Sequence, residues 1–189
     1  MHSSTRTTWF SLTTLCLAIF VLIGGCGSDG PTAAPKAKKV EDLEMQASDF
    51  VNLHDMTAIR GFFVANKLGH LARTVAIATA NKGGTYPVGT IIQLVPQEAM
   101  VKRRAGFNPK TMDWEFFFLN TDANGTQILV RGGEEVVNRF GGSCAACHAA
   151  ARGKFDMVCE KTHGCAPLPV GDDFFHALQS ADSRPRAKS

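Results

Sequence analysis

The sequence predicts an α+β fold, an antiparallel β-sheet of four or five strands with flanking helices. Three observations carry that expectation. Short runs rich in β-branched and aromatic residues lie between positions 71 and 130, separated by turn segments such as Asn81-Lys82-Gly83-Gly84 and Thr121-Asp122-Ala123-Asn124-Gly125. Segments with helical spacing flank that stretch on both sides. The chain beyond residue 25 has the length of one domain and no internal repeat.

The elements follow in order. Residues 40–59 are expected to form a helix, because Leu43, Ala47, Phe50, Val51 and His54 recur on one face and Glu41, Asp42 and Glu44 suit its N-terminus. Residues 71–80 alternate with β-branched residues and read as a strand that ends in the 81–84 turn. Residues 90–95 and 100–104 read as the next strands. Residues 114–119 form a run of large apolar side chains interrupted by Glu115, and 127–130 runs back after the 121–125 turn. Helices are expected over 134–140, 143–151 and 172–179.

Residues 1–25 read as a lipoprotein-type export signal. Arg6 gives a short positive region, residues 9–23 are mostly apolar, and Gly24-Gly25 places small residues before Cys26. The apolar stretch is short for a membrane span, which needs about 20 residues. The pattern resembles a bacterial lipobox, in which Cys26 becomes the lipidated first residue; cleavage nearby without lipid is the alternative. With lipid, the chain is a periplasm-facing lipoprotein of the bacterial cell envelope, tied to the membrane through Cys26. Gly27 offers no acidic retention signal, which favours the outer membrane. Residues 26–39 are a flexible tether, 40–179 the folded domain, and 180–189 a polar tail expected to be disordered. The net charge is only +3, and no basic patch interleaved with aromatics occurs, so no nucleic acid is expected as a partner.

Residues Cys144-Ala145-Ala146-Cys147-His148 spell C-x-x-C-H, the attachment site of a c-type haem. Two thiols must reach the two vinyl groups on one porphyrin edge, and the adjacent imidazole must reach the iron. Residues three and four apart share one side of a helix, so Cys144, Cys147 and His148 can face one plate-like ligand, with His148 on the iron. Ser143 is a plausible N-cap, and the surrounding alanines favour helix without adding bulk beside the ring.

A zinc site is the competing reading, because Cys159, His163 and Cys165 follow closely and could complete a tetrahedral ligand set. Export favours haem. The chain has six cysteines. Cys16 lies in the signal, Cys26 would carry lipid, and Cys144 and Cys147 would carry haem. Cys159 and Cys165 then remain for a disulfide in an oxidising compartment, with metal binding by their loop as the alternative.

The haem motif lies late in the chain. The single later methionine, Met157, is too close to His148 to reach the opposite haem face. The distal wall is therefore expected from the sheet, with Trp114, Phe116 and Phe118 as candidates, over an iron that is mostly five-coordinate. Such an iron binds small diatomic molecules or supports catalysis, whereas a closed one mostly passes electrons. His54, His70, His163 and His176 are the residues that could instead supply a sixth ligand.

Five segments carry a family resemblance. They are Thr74-Val75-Ala76-Ile77-Ala78-Thr79-Ala80-Asn81, Tyr86-Pro87-Val88-Gly89-Thr90-Ile91-Ile92, Ala99-Met100-Val101-Lys102-Arg103, Asp113-Trp114-Glu115-Phe116-Phe117 and the late C-x-x-C-H. In this order they resemble the cytochrome P-460 family, including its cytochrome c′-beta members. The resemblance covers roughly residues 71–156. It implies an antiparallel-sheet domain, often a homodimer, with c-type haem held at its C-terminal side and activities such as hydroxylamine oxidation and nitric oxide binding.

The departures matter. Catalytic members cross-link a lysine to the haem shortly after the Pro-x-Gly turn. Leu94 falls near that place, no lysine lies between Thr90 and Val101, and Lys102 sits in a different motif. The chain is thus closer to the cytochrome c′-beta type. Catalytic members also carry a distal acid, for which Glu115 is the candidate, although strand alternation can equally turn it away from Trp114, Phe116 and Phe118. Two functions follow. One is an electron-transfer or small-ligand cytochrome, binding nitric oxide or another nitrogen oxide and served by a redox partner. The other is an oxidoreductase acting on a small nitrogen compound such as hydroxylamine.

Overall fold

The computed structural model describes residues 42–160, 163–164, 168 and 170–188. The expected export signal, Cys26 and the tether lie outside the described residues. The fold is α+β, and the sheet has six strands, not four or five. They are β1 (Thr57–Ile59), β2 (Phe62–Asn66), β3 (Thr90–Gln93), β4 (Glu98–Lys102), β5 (Trp114–Asp122) and β6 (Gly125–Gly132). All neighbours are antiparallel and the spatial order follows the sequence. Among the described residues three α-helices accompany them: α1 (Leu71–Thr79), α2 (Cys144–His148) and α3 (Asp172–Ser180).

Three expectations about local structure are corrected. Residues 71–79 are helix α1, not a strand. Its buried positions, Thr74 and Ala78, are four apart, and the Thr74 hydroxyl meets that of Thr90 at 2.9 Å. The alanines at 72, 76 and 78 favour helix strongly enough to outweigh the β-branched residues between them. The missing strands are β1 and β2, a hairpin that turns at Arg60-Gly61 with Ile59 opposite Phe62.

Within the expected 40–59 helix, the described residues 42–59 form no α-helix. The described part is extended apart from two short 3₁₀ turns, Ala47–Asp49 and Leu53–Asp55. Its carbonyls are taken by arginines of the sheet: Arg103 donates to the Leu43 oxygen, and Arg131 Nη1 to the Met45 oxygen at 3.1 Å. A carbonyl bound in this way does not serve a helical ladder. Residues 134–140 also lack a helix; the chain there turns, and Val136 accepts from the Cys144 N–H at 3.0 Å.

The centre of the sheet is buried on both faces, so β5 carries large apolar side chains on either side of Glu115. One face carries Ile92, Met100, Trp114 and Phe116. The other carries Ile91, Ala99, Val101, Phe117 and Leu119, covered by Leu43, Met45 and Phe50. Each large side chain buried in this way contributes about 1.5–3 kcal/mol. Residues 182–187 of the expected disordered tail are held against the domain. Arg184 is 3% exposed. Its Nη1 donates to the Phe50 carbonyl at 3.0 Å, while Asn52 Nδ2 donates to the Arg184 carbonyl at 2.7 Å. The tail's basic residues find carbonyls and carboxylates on the 50–55 segment, as when Arg186 Nε pairs with Asp55 at 2.7 Å.

Candidate cofactor site

Helix α2 is a single turn, and its sequence explains where it starts. Ser143 is its N-cap, with Oγ accepting from the Ala146 N–H at 3.3 Å. On that turn Cys144, Cys147 and His148 all reach the wall of one cavity of about 440 Å³. This falls within the roughly 300–1,000 Å³ typical of cofactor and ligand pockets. Both thiols are free. Burial, and then the nearby Glu98, push the Cys144 thiol up to about 12.

The sheet lines the cavity with Phe62, Ile92, Met100 and Phe116, and Leu94 joins them just after β3. The loops add Phe140, Val158 and Leu168, and α3 adds Phe175, His176 and Gln179. Arg60, Glu98, Asn138, Glu160 and Asp172 bring charge and polarity to the same wall. Helix α3 is fastened by Gln179, whose Nε2 donates to the carbonyls of Gly61 and Leu94, each at 2.9 Å.

His148 is set in one orientation. Its Nδ1 lies 2.8 Å from the Met157 carbonyl. A carbonyl only accepts, so Nδ1 carries the proton and Nε2 keeps its lone pair. Burial lowers the imidazole pKa and so favours the neutral form that ligates metals, against a smaller opposing effect of the Met157 carbonyl. The ring packs against Phe116 with centroids 5.3 Å apart. Two free thiols and a neutral imidazole with one available nitrogen, on one largely apolar wall, are the donors a covalent haem needs. The residues present fit that group.

The turn that presents the Met157 carbonyl is strained. Asp156 and Met157 both have left-handed backbone, with φ of 50° and 63°, a conformation that costs on the order of 1–3 kcal/mol per residue. Lys102 Nζ holds Asp156 Oδ1 at 2.7 Å, and the Tyr86 N–H donates to Oδ2 at 2.9 Å. Trp114 Nε1 donates to the Asp156 carbonyl at 2.6 Å. Burial raises the Asp156 carboxyl from its ordinary range, against the opposing effect of Lys102.

Several expected site residues fall elsewhere. Trp114 does not line the cavity; it is fully buried beside Tyr86 and supports the turn below His148. Phe118 is on the cavity face of β5 but beyond the lining, and of the three aromatic candidates Phe116 alone reaches it. Glu115 is not in the pocket. Alternation along β5 turns it to the opposite face, where Arg131 Nε meets Oε1 at 2.6 Å and Arg103 pairs with Oε2. Held between two guanidiniums on that face, its carboxylate is not among the groups lining the cavity.

Among the histidines considered as a sixth ligand, His176 reaches the cavity wall. His54 lies edge-on to Phe63, His70 sits at the start of α1, and His163 stacks on Phe155 at 3.7 Å. Cys159 is disulfide-bonded, so its sulfur is not an open zinc ligand; Cys165, its expected partner, lies outside the described residues. Among the described residues, no three His, Cys, Asp or Glu side chains converge as a metal-ligand set.

Sequence reasoning missed Met100, Phe62 and, apart from His176, the inner face of α3. Asp172, Phe175, His176 and Gln179 follow the i, i+3, i+4, i+7 spacing of one helix face, a signal present in the sequence. Phe62 was hidden with its hairpin. Comparison with protein-family models, curated proteins and solved structures finds no match. The likeness to the cytochrome P-460 family therefore rests on the five sequence segments.

Proposed function

We propose that this chain is an exported c-type cytochrome of the cytochrome P-460 type. One haem is bound through thioethers to Cys144 and Cys147, with His148 as the proximal iron ligand. One observation carries the reading: both free thiols and an imidazole with Nε2 available share the wall of a single apolar cavity. When bound, the haem supplies an iron that takes up small ligands or passes electrons. The chain's residues attach it, orient the axial imidazole and exclude water with Phe62, Ile92, Met100 and Phe116. The protein is held to the periplasmic face of the envelope by lipid on Cys26, and acts as a nitric oxide or similar small-ligand binder, an electron carrier, or both.

A second reading has its own observation. His176 lines the cavity. If its imidazole takes the sixth position, the iron is closed and the protein is an electron carrier with no ligand-binding role. The oxidoreductase reading is weaker, because Glu115 lies between two arginines on the far face of the sheet. An enzyme here would have to draw its acid from Glu98, Glu160 or Asp172 on the cavity wall.

The test is titration of the reduced, purified holoprotein with nitric oxide, followed by absorption and resonance Raman spectroscopy. The proposal expects a five-coordinate ferrous iron that binds nitric oxide stoichiometrically. A low-spin, six-coordinate iron in both oxidation states that resists the ligand would overturn small-ligand binding and leave electron transfer.

A further inference from the structure

We propose that the buried Lys102–Asp156 pair, together with Trp114, is a positioning device for the proximal ligand. It clamps the strained Asp156–Met157 turn so that the Met157 carbonyl stays on the Nδ1–H of His148. This inference rests on the haem reading and deepens it.

The geometry is a short chain of contacts from sheet to imidazole. Lys102 and Trp114 lie directly opposite each other on β4 and β5. Both reach the same residue. Lys102 Nζ grips the Asp156 carboxylate at 2.7 Å, and Trp114 Nε1 grips the Asp156 carbonyl at 2.6 Å. The second carboxylate oxygen is held by the Tyr86 N–H at 2.9 Å. One residue further on, the Met157 carbonyl accepts from His148 at 2.8 Å. The Met157 N–H donates to the Ala151 carbonyl at 3.1 Å, which ties the turn back to the segment that carries His148.

Two features argue against a merely structural role. Side chains rarely adopt left-handed backbone at two successive non-glycine positions, so Asp156 and Met157 need outside restraint to keep it. Buried ion pairs also contribute little net stability compared with apolar side chains of similar size. A pair buried at 8% and 1% side-chain exposure, at the turn that aims an axial ligand's acceptor, is better explained by orientation. Hydrogen-bonded outer partners of this kind fix a ligating imidazole's tautomer and raise its basicity.

The prediction concerns the strength of the iron–imidazole bond. A well-held acceptor on Nδ1–H makes the imidazole a stronger donor and favours ferric iron. Asp156→Asn puts an amide where the carboxylate met Lys102 and loosens the turn. In the holoprotein it should lower the iron–histidine stretching frequency and raise the midpoint potential. The potential can be read whether the iron is five- or six-coordinate. The double variant Lys102→Gln/Asp156→Asn restores a neutral hydrogen bond and should return both readouts toward the parent.

Glu115→Gln is the control, because it weakens a buried ion pair on the opposite face of the sheet. It should lower stability and leave both readouts unchanged. If Asp156→Asn does not fold, Lys102→Arg keeps the charge, alters the reach, and must shift the same readouts. Parent-like frequency and potential in a folded Lys102 or Asp156 variant would overturn the clamp. A parent protein with no covalent haem would overturn the haem reading as well, and that result is seen before any variant is compared.

Discussion

The Nδ1 of His148 and the carbonyl of Met157 meet at 2.8 Å across nine residues of chain. That contact decides which imidazole nitrogen can face a metal. His148→Gly removes the ring and leaves both thiols in place. The variant should keep its haem covalently, lose the proximal ligand, and regain a parent-like absorption spectrum when imidazole is added to the solution. A variant with the parent's spectrum before imidazole is added would remove His148 from the iron.

Glu115 is 4% exposed and bridges Arg103 and Arg131, which in turn hold the backbone of Leu43 and Met45. Its place is structural. Glu115→Ala leaves two guanidiniums without their shared partner and should cost about 3 kcal/mol of stability. Chemical denaturation measures that loss. Ligand affinity at the iron should stay at the parent value, and a clear fall in affinity would return Glu115 to the functional site.

How far the sequence could be read follows from the range of the forces involved. The strands from β3 to β6 and helices α2 and α3 were legible, because turn residues, alternation and the Ser143 cap are local signals. Helix α1 was not, since its β-branched residues compete with its alanines and packing of Thr74 against Thr90 decides the outcome. The 42–55 segment was misread because its carbonyls are claimed by Arg103 and Arg131, which lie far along the chain. The residues proposed to hold haem, Cys144, Cys147 and His148, stand out from spacing alone. Most of their surroundings do not, because Met100, Phe62 and Phe175 join the site only when the sheet and α3 close around it; His176 was one of four histidines the sequence could not tell apart.

His176 tests the distal side. With a five-coordinate parent, His176→Leu should leave the spin state of the resting haem unchanged, as read by magnetic spectroscopy. A six-coordinate, low-spin parent that becomes five-coordinate in His176→Leu would identify His176 as the sixth ligand and favour electron transfer.

The C-terminal tail should respond to acid through Asp182. Burial alone would raise this carboxyl, but Arg184 and the Leu53 N–H outweigh it and hold it below the ordinary value of 3.8. A carboxyl depressed in the folded state stabilises above its unfolded pKa and loses that contribution as pH falls through the folded one. The tail's contacts with residues 50–55 should therefore persist at neutral pH and open below about pH 4, as read by amide hydrogen exchange. Asp182→Asn should cost about 1–3 kcal/mol at neutral pH and blunt the acid response. An equally steep acid response in that variant would assign it to other groups.

Haem attachment is the claim on which the rest depends, and mass spectrometry of the denatured mature protein tests it most directly. The protein, produced in a host that assembles c-type cytochromes, is extracted with acidic organic solvent and digested. The account predicts that iron porphyrin stays on the polypeptide and that the peptide containing Cys144 and Cys147 is heavier by one haem. A peptide of unmodified mass, with zinc bound stoichiometrically to the native protein, would contradict it.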